Sequence, residues 1–118
     1  MTMSRRWITP FGLIAFALLF QLRAHAEEFN VSPRTEELLK RGSCWGCHGV
    51  DEVRIGPPFR NIAQRYRNSG SEQMEVLTAK IRFGGAGNWG VVPMFPHPEL
   101  SRSETNELLK WILSLPPR

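Results

Sequence analysis

Residues 44–48 read Cys44-Trp45-Gly46-Cys47-His48, and this stretch decides how the rest of the chain is interpreted. The two thiols stand three positions apart, which matches thioether bonds to the two vinyl groups of one haem. The histidine that follows is then placed to ligate the haem iron. The motif therefore predicts one c-type haem, bound covalently through Cys44 and Cys47, with His48 as the proximal iron ligand.

Three other chemistries use similar residues. A redox disulfide of the thioredoxin type requires a strand-helix-strand neighbourhood, which the sequence does not offer. A tetrahedral zinc site requires four ligands, and beyond residue 26 the only histidine or cysteine outside the motif is His97. A structural disulfide suits an exported protein but leaves His48 without a role. Haem attachment is the interpretation that uses all three motif residues.

Upstream of the motif, residues 1–26 have the layout of a secretory signal peptide. Arg5 and Arg6 precede an uninterrupted apolar and glycine stretch over residues 11–20, and Ala24-His25-Ala26 forms a cleavage site. A spanning helix needs about 18 apolar residues, so a retained membrane anchor is the less favoured alternative. We expect cleavage after Ala26, no stable membrane insertion afterwards, export to the bacterial periplasm, and a single domain over residues 27–118.

The net charge of +4 belongs mostly to this leader. Its removal takes away three arginines and no acidic residue, which leaves a domain with a net charge of +1. A nearly neutral domain has little attraction for a phosphate backbone, so we expect no nucleic-acid partner. A domain of this size builds only a thin core, to which a buried cofactor would add apolar surface.

Four segments of the domain carry helical signals, and none shows the period-two alternation of a strand. The first helix should start at Ser32-Pro33 and stop at Gly42, and the second should start after Pro57-Pro58. The third should start at Ser71 and stop at Gly84-Gly85, and the last should start at the Ser101/Glu104 capping box and stop at Pro116-Pro117. The predicted fold class is all-α, with about four helices around one haem. The apolar faces predict a haem wall made of Phe59, Ile62, Tyr66, Leu77 and Trp111.

Residues 84–100 contain four glycines and three prolines together with several large apolar side chains, which predicts a structured loop rather than a solvated linker. A second axial ligand must come from Met74, Met94 or His97. Met74 lies on an apolar helical face, where methionine usually fills the core. Met94 follows Pro93 in this stiff loop, where proline lowers the entropy cost of presenting a ligand, so Met94 is the predicted ligand.

Taken together, the haem motif, Ile55-Gly56-Pro57, the stretch from Asn88 to Met94 and Leu109-Lys110-Trp111 resemble the small class I monohaem cytochromes c of bacteria. The resemblance covers nearly all of residues 33–115. It is greatest to the short group that donates electrons to periplasmic nitrite reductases and terminal oxidases. It implies the cytochrome c fold and a soluble, monomeric one-electron carrier that meets periplasmic redox proteins transiently and is not an enzyme.

The resemblance also implies roles for individual residues. His48 and Met94 become the axial pair, and the carbonyl of Pro57 accepts a hydrogen bond from the second ring nitrogen of His48. Trp89 becomes a hydrogen-bond donor to a haem propionate, with Lys80 as a nearby charge. Simple packing remains the alternative for Trp89, and a solvated helix face is the alternative for Lys80.

One position departs from the family pattern. The third residue after the ligand methionine is commonly an asparagine that donates to the sulfur, and here it is His97. A histidine can also donate, but it gains charge at mildly acidic pH and would then raise the reduction potential. An exposed loop histidine is the alternative. Two other functions stay open at this point: a peroxidase-like haem with a labile Met94, and a dedicated haem subunit of a periplasmic oxidoreductase complex.

Overall fold

The computed structural model describes residues 29–117. The predicted leader, residues 1–26, and its cleavage point lie outside the described residues. Within the described range, no helix has both the length and the apolar character needed to cross a membrane.

Helices dominate the described chain, which confirms the all-α class with about four helices. In chain order the elements are α1 (Pro33–Arg41), a 3₁₀ turn (Cys44–Gly46), α2 (Phe59–Tyr66), α3 (Ser71–Phe83), β1 (Gly85–Gly87), β2 (Gly90–Met94) and α4 (Arg102–Ser114). The two short strands are an addition to the predicted architecture.

The first and last helices begin where their capping residues predict. The hydroxyl of Ser32 accepts a hydrogen bond from the backbone N–H of Thr35 at 3.0 Å. At α4, the Ser101 hydroxyl accepts from the Glu104 N–H, and the Glu104 carboxylate accepts from the Ser101 N–H at 3.0 Å. All three bonds satisfy N–H groups that have no partner inside the helix. The capping box is therefore present as predicted.

The start of α3 differs from the prediction by one residue. Gly70, and not Ser71, is the cap: it is extended at φ −74° and ψ −177°, and no side chain caps this helix. Ser71 is already the first helical residue, so its hydroxyl cannot act from the cap position. The end of α3 is as predicted, since Gly84 takes a left-handed φ of 74°.

Residues 85–94, which the sequence predicts as part of a structured loop, form a two-stranded antiparallel hairpin. Gly85 pairs with Met94 and Gly87 pairs with Gly90, with an irregularity between the two pairs. Asn88-Trp89 forms the turn at the tip. The three paired glycines have φ values between 107° and 125°, which residues with side chains rarely adopt. The hairpin thus depends on its glycines.

Helices α1, α2 and α4 bury one continuous apolar core, whose members are Leu38, Leu39, Val50, Phe59, Ala63, Leu100, Leu108, Ile112 and Leu115. A smaller cluster of Tyr66, Leu77 and Leu109 joins α2 and α3 to α4. Of the predicted wall residues, Phe59, Tyr66 and Leu77 are buried, Ile62 is partly buried, and all four line a cavity. Trp111 packs partly buried against the larger cluster and does not line that cavity, so its predicted place in the haem wall is wrong. The core leaves a cavity between these helices, the loop after α1 and the hairpin.

Candidate haem site

A cavity of about 410 Å³ lies at the centre of the described chain. Every site residue predicted from the sequence lines it: Cys44, Cys47, His48, Pro57, Trp89 and Met94. Lys80 and His97 line it as well. Most of the remaining lining is apolar, from Leu39, Phe59, Ile62, Leu77, Ile81, Leu108, Leu109 and Ile112. The fold therefore brings together predicted site residues that are up to 50 positions apart in the sequence, from Cys44 to Met94.

A left-handed residue turns the chain from α1 into the cysteine motif. Ser43 has a φ of 51° and is the only residue other than glycine with a positive φ in the described chain. The 3₁₀ turn that follows is closed by hydrogen bonds from the N–H groups of Cys47 and His48 to the carbonyl of Cys44, at 3.1 and 2.9 Å. This local turn keeps both cysteines and the histidine at the cavity wall.

The imidazole of His48 is held from two directions. Its Nδ1 lies 2.7 Å from the carbonyl oxygen of Pro57. Because a carbonyl oxygen only accepts, Nδ1 carries the hydrogen and Nε2 keeps its lone pair. The ring of Phe59 stacks on the imidazole at 5.1 Å between centroids and 13° between planes. This arrangement presents the nitrogen that a metal requires in a fixed ring orientation.

Gly56 is a second requirement of the same geometry. A Cβ on this residue would lie 2.5 Å from Cε1 of His48, which is far inside van der Waals contact. The N–H of Gly56 also donates to the carbonyl of Cys47 at 2.7 Å, which ties this loop to the motif. Sequence reasoning quoted Gly56 beside Pro57 without assigning it a role; the signal was a glycine directly before the proline.

Burial sets the protonation state of the motif. It lowers the pKa of His48, an effect that the hydrogen bond to Pro57 opposes and the charge of His97 reinforces. Burial raises the pKa of the Cys44 thiol to about 11. The haem-free chain at neutral pH therefore carries a neutral imidazole, the form that ligates iron, and a neutral Cys44 thiol.

The residues present fit a covalent haem better than the alternatives. Cys44 and Cys47 are free thiols, not a disulfide. Among residues 29–117, no three histidine, cysteine, aspartate or glutamate side chains converge as a metal cluster would require, which argues against zinc. The cavity has the volume of a cofactor pocket and a mainly apolar lining.

Trp89 sits at the tip of the hairpin and is 44% exposed. Its ring packs edge-on against Tyr66, with the centroids 6.4 Å apart. No described residue accepts a hydrogen bond from its Nε1, so the indole N–H is unused by the protein. The ammonium of Lys80 reaches the same hairpin, 3.5 Å from the carbonyl oxygen of Ala86. Lys80 therefore belongs to the cavity wall and not to a purely solvated helix face.

His97 is partly buried rather than fully exposed. Only 17% of its side chain is exposed, and it lines the cavity. Its Nδ1 lies 3.1 Å from a carboxylate oxygen of Glu99, and its backbone N–H donates to the carbonyl of Ile81 at 3.1 Å. Glu99, two residues further along the chain, was missed by sequence reasoning because nothing in its spacing indicates a contact.

Arg65 was also missed. Its guanidinium donates to the carbonyl of Asn88 at 2.7 Å and lies 4.9 Å from the ring centroid of Trp89. In the sequence it is one of several charged residues on a helix face, and no local signal distinguishes it.

Fold and site define a class: a small, mainly helical protein with one apolar cofactor cavity and a C-x-x-C-H motif in its wall. The chain belongs to the cytochrome c family, whose model, described as "Cytochrome c", matches residues 34–116. It binds one c-type haem covalently through Cys44 and Cys47 and is an electron-transfer haem protein that serves redox partners.

Individual relatives agree with this assignment. The chain is 39% identical over 79 residues to cytochrome c-551 of Azotobacter vinelandii, covering 67% of this chain and 94% of that protein. It is 32% identical over 113 residues to cytochrome c-552 of Nitrosomonas europaea, covering 96% and 99%. The crystal structure of wild-type Nitrosomonas europaea cytochrome c552 matches with a TM-score of 0.62 at 33% identity, covering 69% of this chain and 99% of that one. These matches confirm the resemblance to small class I monohaem cytochromes c.

Proposed function

We propose that this protein is a soluble periplasmic one-electron carrier, exported by a leader at residues 1–26 and active as a monomeric domain over residues 27–118. In it, His48 and Met94 are the axial ligands of the iron. The supporting observation is that both side chains and both motif thiols border one apolar cavity. The electron acceptor is a periplasmic nitrite reductase or terminal oxidase.

The bound haem supplies an iron that takes up and releases one electron. His48 contributes a neutral imidazole whose ring is oriented by Pro57 and Phe59. Met94 contributes a thioether, which raises the reduction potential of an iron that also has a histidine ligand. Ligation of the iron by both His48 and Met94 would leave no coordination position for a substrate, which supports electron transfer without enzymatic turnover.

Trp89 and Lys80 hold the propionate side of the cofactor. The indole N–H is a donor with no partner in the described chain, and the ammonium is a positive charge at the same cavity wall. A carboxylate placed between them receives a charge-assisted hydrogen bond. These two residues therefore orient the group and offset its negative charge.

The rim of the cavity supplies the surface that partners meet. Four of the large apolar residues that line the cavity are more than 60% exposed: Ile55 at 67%, Val91 at 92%, Val92 at 61% and Phe95 at 72%. Exposed apolar groups of this kind mark contact sites, and redox encounters use small, weak interfaces. We infer that partners dock briefly at this rim, beside the cavity that would hold the haem.

The test is full-length expression in a bacterium that attaches c-type haem, followed by mass spectrometry and visible spectroscopy of the exported protein. The expected product begins at Glu27, carries one covalent haem and shows the methionine-to-iron charge-transfer band in its ferric spectrum. Met94→Ala abolishes that band, whereas Met74→Ala, on the partly buried face of α3, retains it. A band that survives in Met94→Ala overturns the assignment.

The same preparation separates the other functions. A five-coordinate resting ferric spectrum in the wild type, together with turnover of peroxide, identifies a peroxidase-like haem. Purification as part of a larger oxidoreductase complex identifies a dedicated subunit. A monomer with a six-coordinate spectrum that exchanges electrons reversibly supports the carrier.

A further inference from the structure

The hairpin that carries Met94 is exposed and held by few contacts. Residues 85–87 and 90–93 are all exposed, and the two strands pair with each other. In residues 29–117, the hydrogen bonds and ring contacts that join the tip, residues 86–89, to the helices come from three side chains: Arg65, Tyr66 and Lys80. An element held this way opens locally at lower free energy than the core unfolds.

Arg65 makes the most of these contacts. Its Nη1 donates to the carbonyl of Asn88 at 2.7 Å, and its guanidinium carbon lies 4.9 Å from the ring centroid of Trp89. The same carbon is 5.4 Å from the ring centroid of Tyr66. Within the described chain no carboxylate forms an ion pair with Arg65, so its charge is directed to the hairpin. The end of α2 is thereby joined to the tip by a hydrogen bond and a cation–π contact.

An arginine suits this place for a physical reason. The guanidinium is planar, so its edge can donate to a carbonyl while its face lies on an aromatic ring. A lysine ammonium can supply the charge and one donor but has no face to stack. The arrangement therefore uses both properties that distinguish arginine from lysine.

We propose that Arg65 is a positioning residue for Met94. It holds the hairpin tip against α2, and β2 transmits this restraint to Met94 at its other end. At the other end of the strand, Met94 is held by its pairing with Gly85. Its carbonyl oxygen also lies close to Gly84, since a Cβ on Gly84 would be only 2.4 Å from that oxygen. The inference rests on the proposed role of Met94 as an iron ligand.

Contacts at the hairpin tip should control how readily Met94 is displaced from its position in the cavity wall. When the tip detaches, β2 is restrained at one end only, and the fraction of molecules with Met94 displaced rises. A competing ligand binds that minor state, so its apparent affinity increases in proportion to the population. The hydrogen bond is solvent-exposed, so it is assigned the ordinary net value of a hydrogen bond. Its loss together with one exposed cation–π contact predicts a change of roughly five- to thirtyfold.

The experiment uses the full-length protein with haem attached, as wild type and as Arg65→Ala, Arg65→Lys and Arg102→Ala. Arg102 is the matched control because it is an exposed arginine that pairs with Glu75, away from the hairpin. Imidazole is titrated against the ferric proteins, hydrogen exchange is followed at the amides of residues 86–92 and 94, and global unfolding is measured in denaturant. We expect Arg65→Ala to bind imidazole roughly five- to thirtyfold more tightly than wild type. The imidazole affinity of Arg65→Lys should lie between those of Arg65→Ala and the wild type, and the affinity of Arg102→Ala should equal that of the wild type.

Global stability separates positioning from a general structural role. Positioning predicts faster exchange in the hairpin with nearly unchanged exchange in α1 and α4. The proposal is overturned if Arg65→Ala binds imidazole no more tightly than Arg102→Ala. It is also overturned if tighter imidazole binding in Arg65→Ala is accompanied by an equal rise in hydrogen exchange throughout the core. A wild type without the methionine-to-iron band overturns the ligand assignment itself, which is a different result and is visible before any variant is made.

Discussion

The Nδ1 atom of His48 lies 2.7 Å from the carbonyl oxygen of Pro57, and the residue directly before that proline, Gly56, leaves the space in which the imidazole lies. A hydrogen-bond acceptor and a missing side chain thus act together on one ring. The acceptor fixes which nitrogen carries the hydrogen, and the glycine allows the ring to approach the backbone.

The first prediction follows from that close approach. In Gly56→Ala the new Cβ lies 2.5 Å from Cε1 of His48, so the ring or the loop must move. Overpacking of this kind costs about 1–3 kcal/mol, and we expect the free energy of unfolding to fall by that amount in denaturant titrations. Gly46→Ala is the control, because nothing lies within 4 Å of a Cβ there. Equal stability of the two variants would contradict the prediction.

The second prediction compares two serines at helix starts. Ser101→Ala removes the hydroxyl that accepts from Glu104 in the capping box and should lower stability by about 1 kcal/mol. Ser71→Ala should change stability little, because Gly70 occupies the cap position and Ser71 is already helical. Thermal unfolding of both proteins measures the difference. A larger loss of stability in Ser71→Ala than in Ser101→Ala would show that Ser71 caps the helix, as the sequence predicts.

These two serines show where local reasoning succeeds. Ser101 could be predicted because a capping box is a contact between residues three positions apart, and the sequence displays both partners. The prediction of Ser71 as the cap was wrong because its neighbour, Gly70, takes the extended conformation of a cap residue without needing a side chain. The motif of Cys44, Cys47 and His48 is equally local, and its spacing was sufficient to predict a haem site.

The hairpin and its anchor could not be predicted in the same way. Its strands contain glycines and a proline and are exposed, so they show no alternation of buried and exposed side chains. Their conformation depends on positive φ values at Gly85, Gly87 and Gly90. Arg65 meets Asn88 across 23 residues of sequence, a contact that only the packing of α2 against the hairpin creates.

The third prediction concerns acid stability at the junction of α1 and α4. The side chain of Arg41 and the backbone N–H of Ser101 lower the pKa of Glu104 from its ordinary value of 4.5 to about 2, with a further contribution from Arg34. Because the folded-state pKa lies below the unfolded one, Glu104 contributes stability above pH 4.5. That contribution is lost as the pH falls from 4.5 to about 2.

Unfolding titrations of wild type and Glu104→Gln across this pH range provide the measurement. We expect Glu104→Gln to be less stable at neutral pH and the gap to close as the pH approaches about 2. Glu107→Gln is the control, since within residues 29–117 the ion pair of Glu107 is the longer one to Arg34, at 3.8 Å. A gap that stays constant with pH would assign the effect to packing and not to the charge of Glu104.

The last prediction concerns the pair formed by His97 and Glu99 at the cavity wall. Their side chains are 3.1 Å apart, and His97 lines the cavity that receives the haem. A negative charge close to the haem favours the oxidised iron. Removing the Glu99 carboxylate takes away such a charge and should raise the reduction potential.

Potentiometry of the wild type and Glu99→Gln at one neutral pH tests this statement. Glu99→Gln should have the higher reduction potential, because it keeps a side chain of the same size but lacks the negative charge. Glu107→Gln is the control, since Glu107 pairs with Arg34 and does not line the cavity. Equal potentials in the wild type and Glu99→Gln would exclude the Glu99 carboxylate as an influence on the iron.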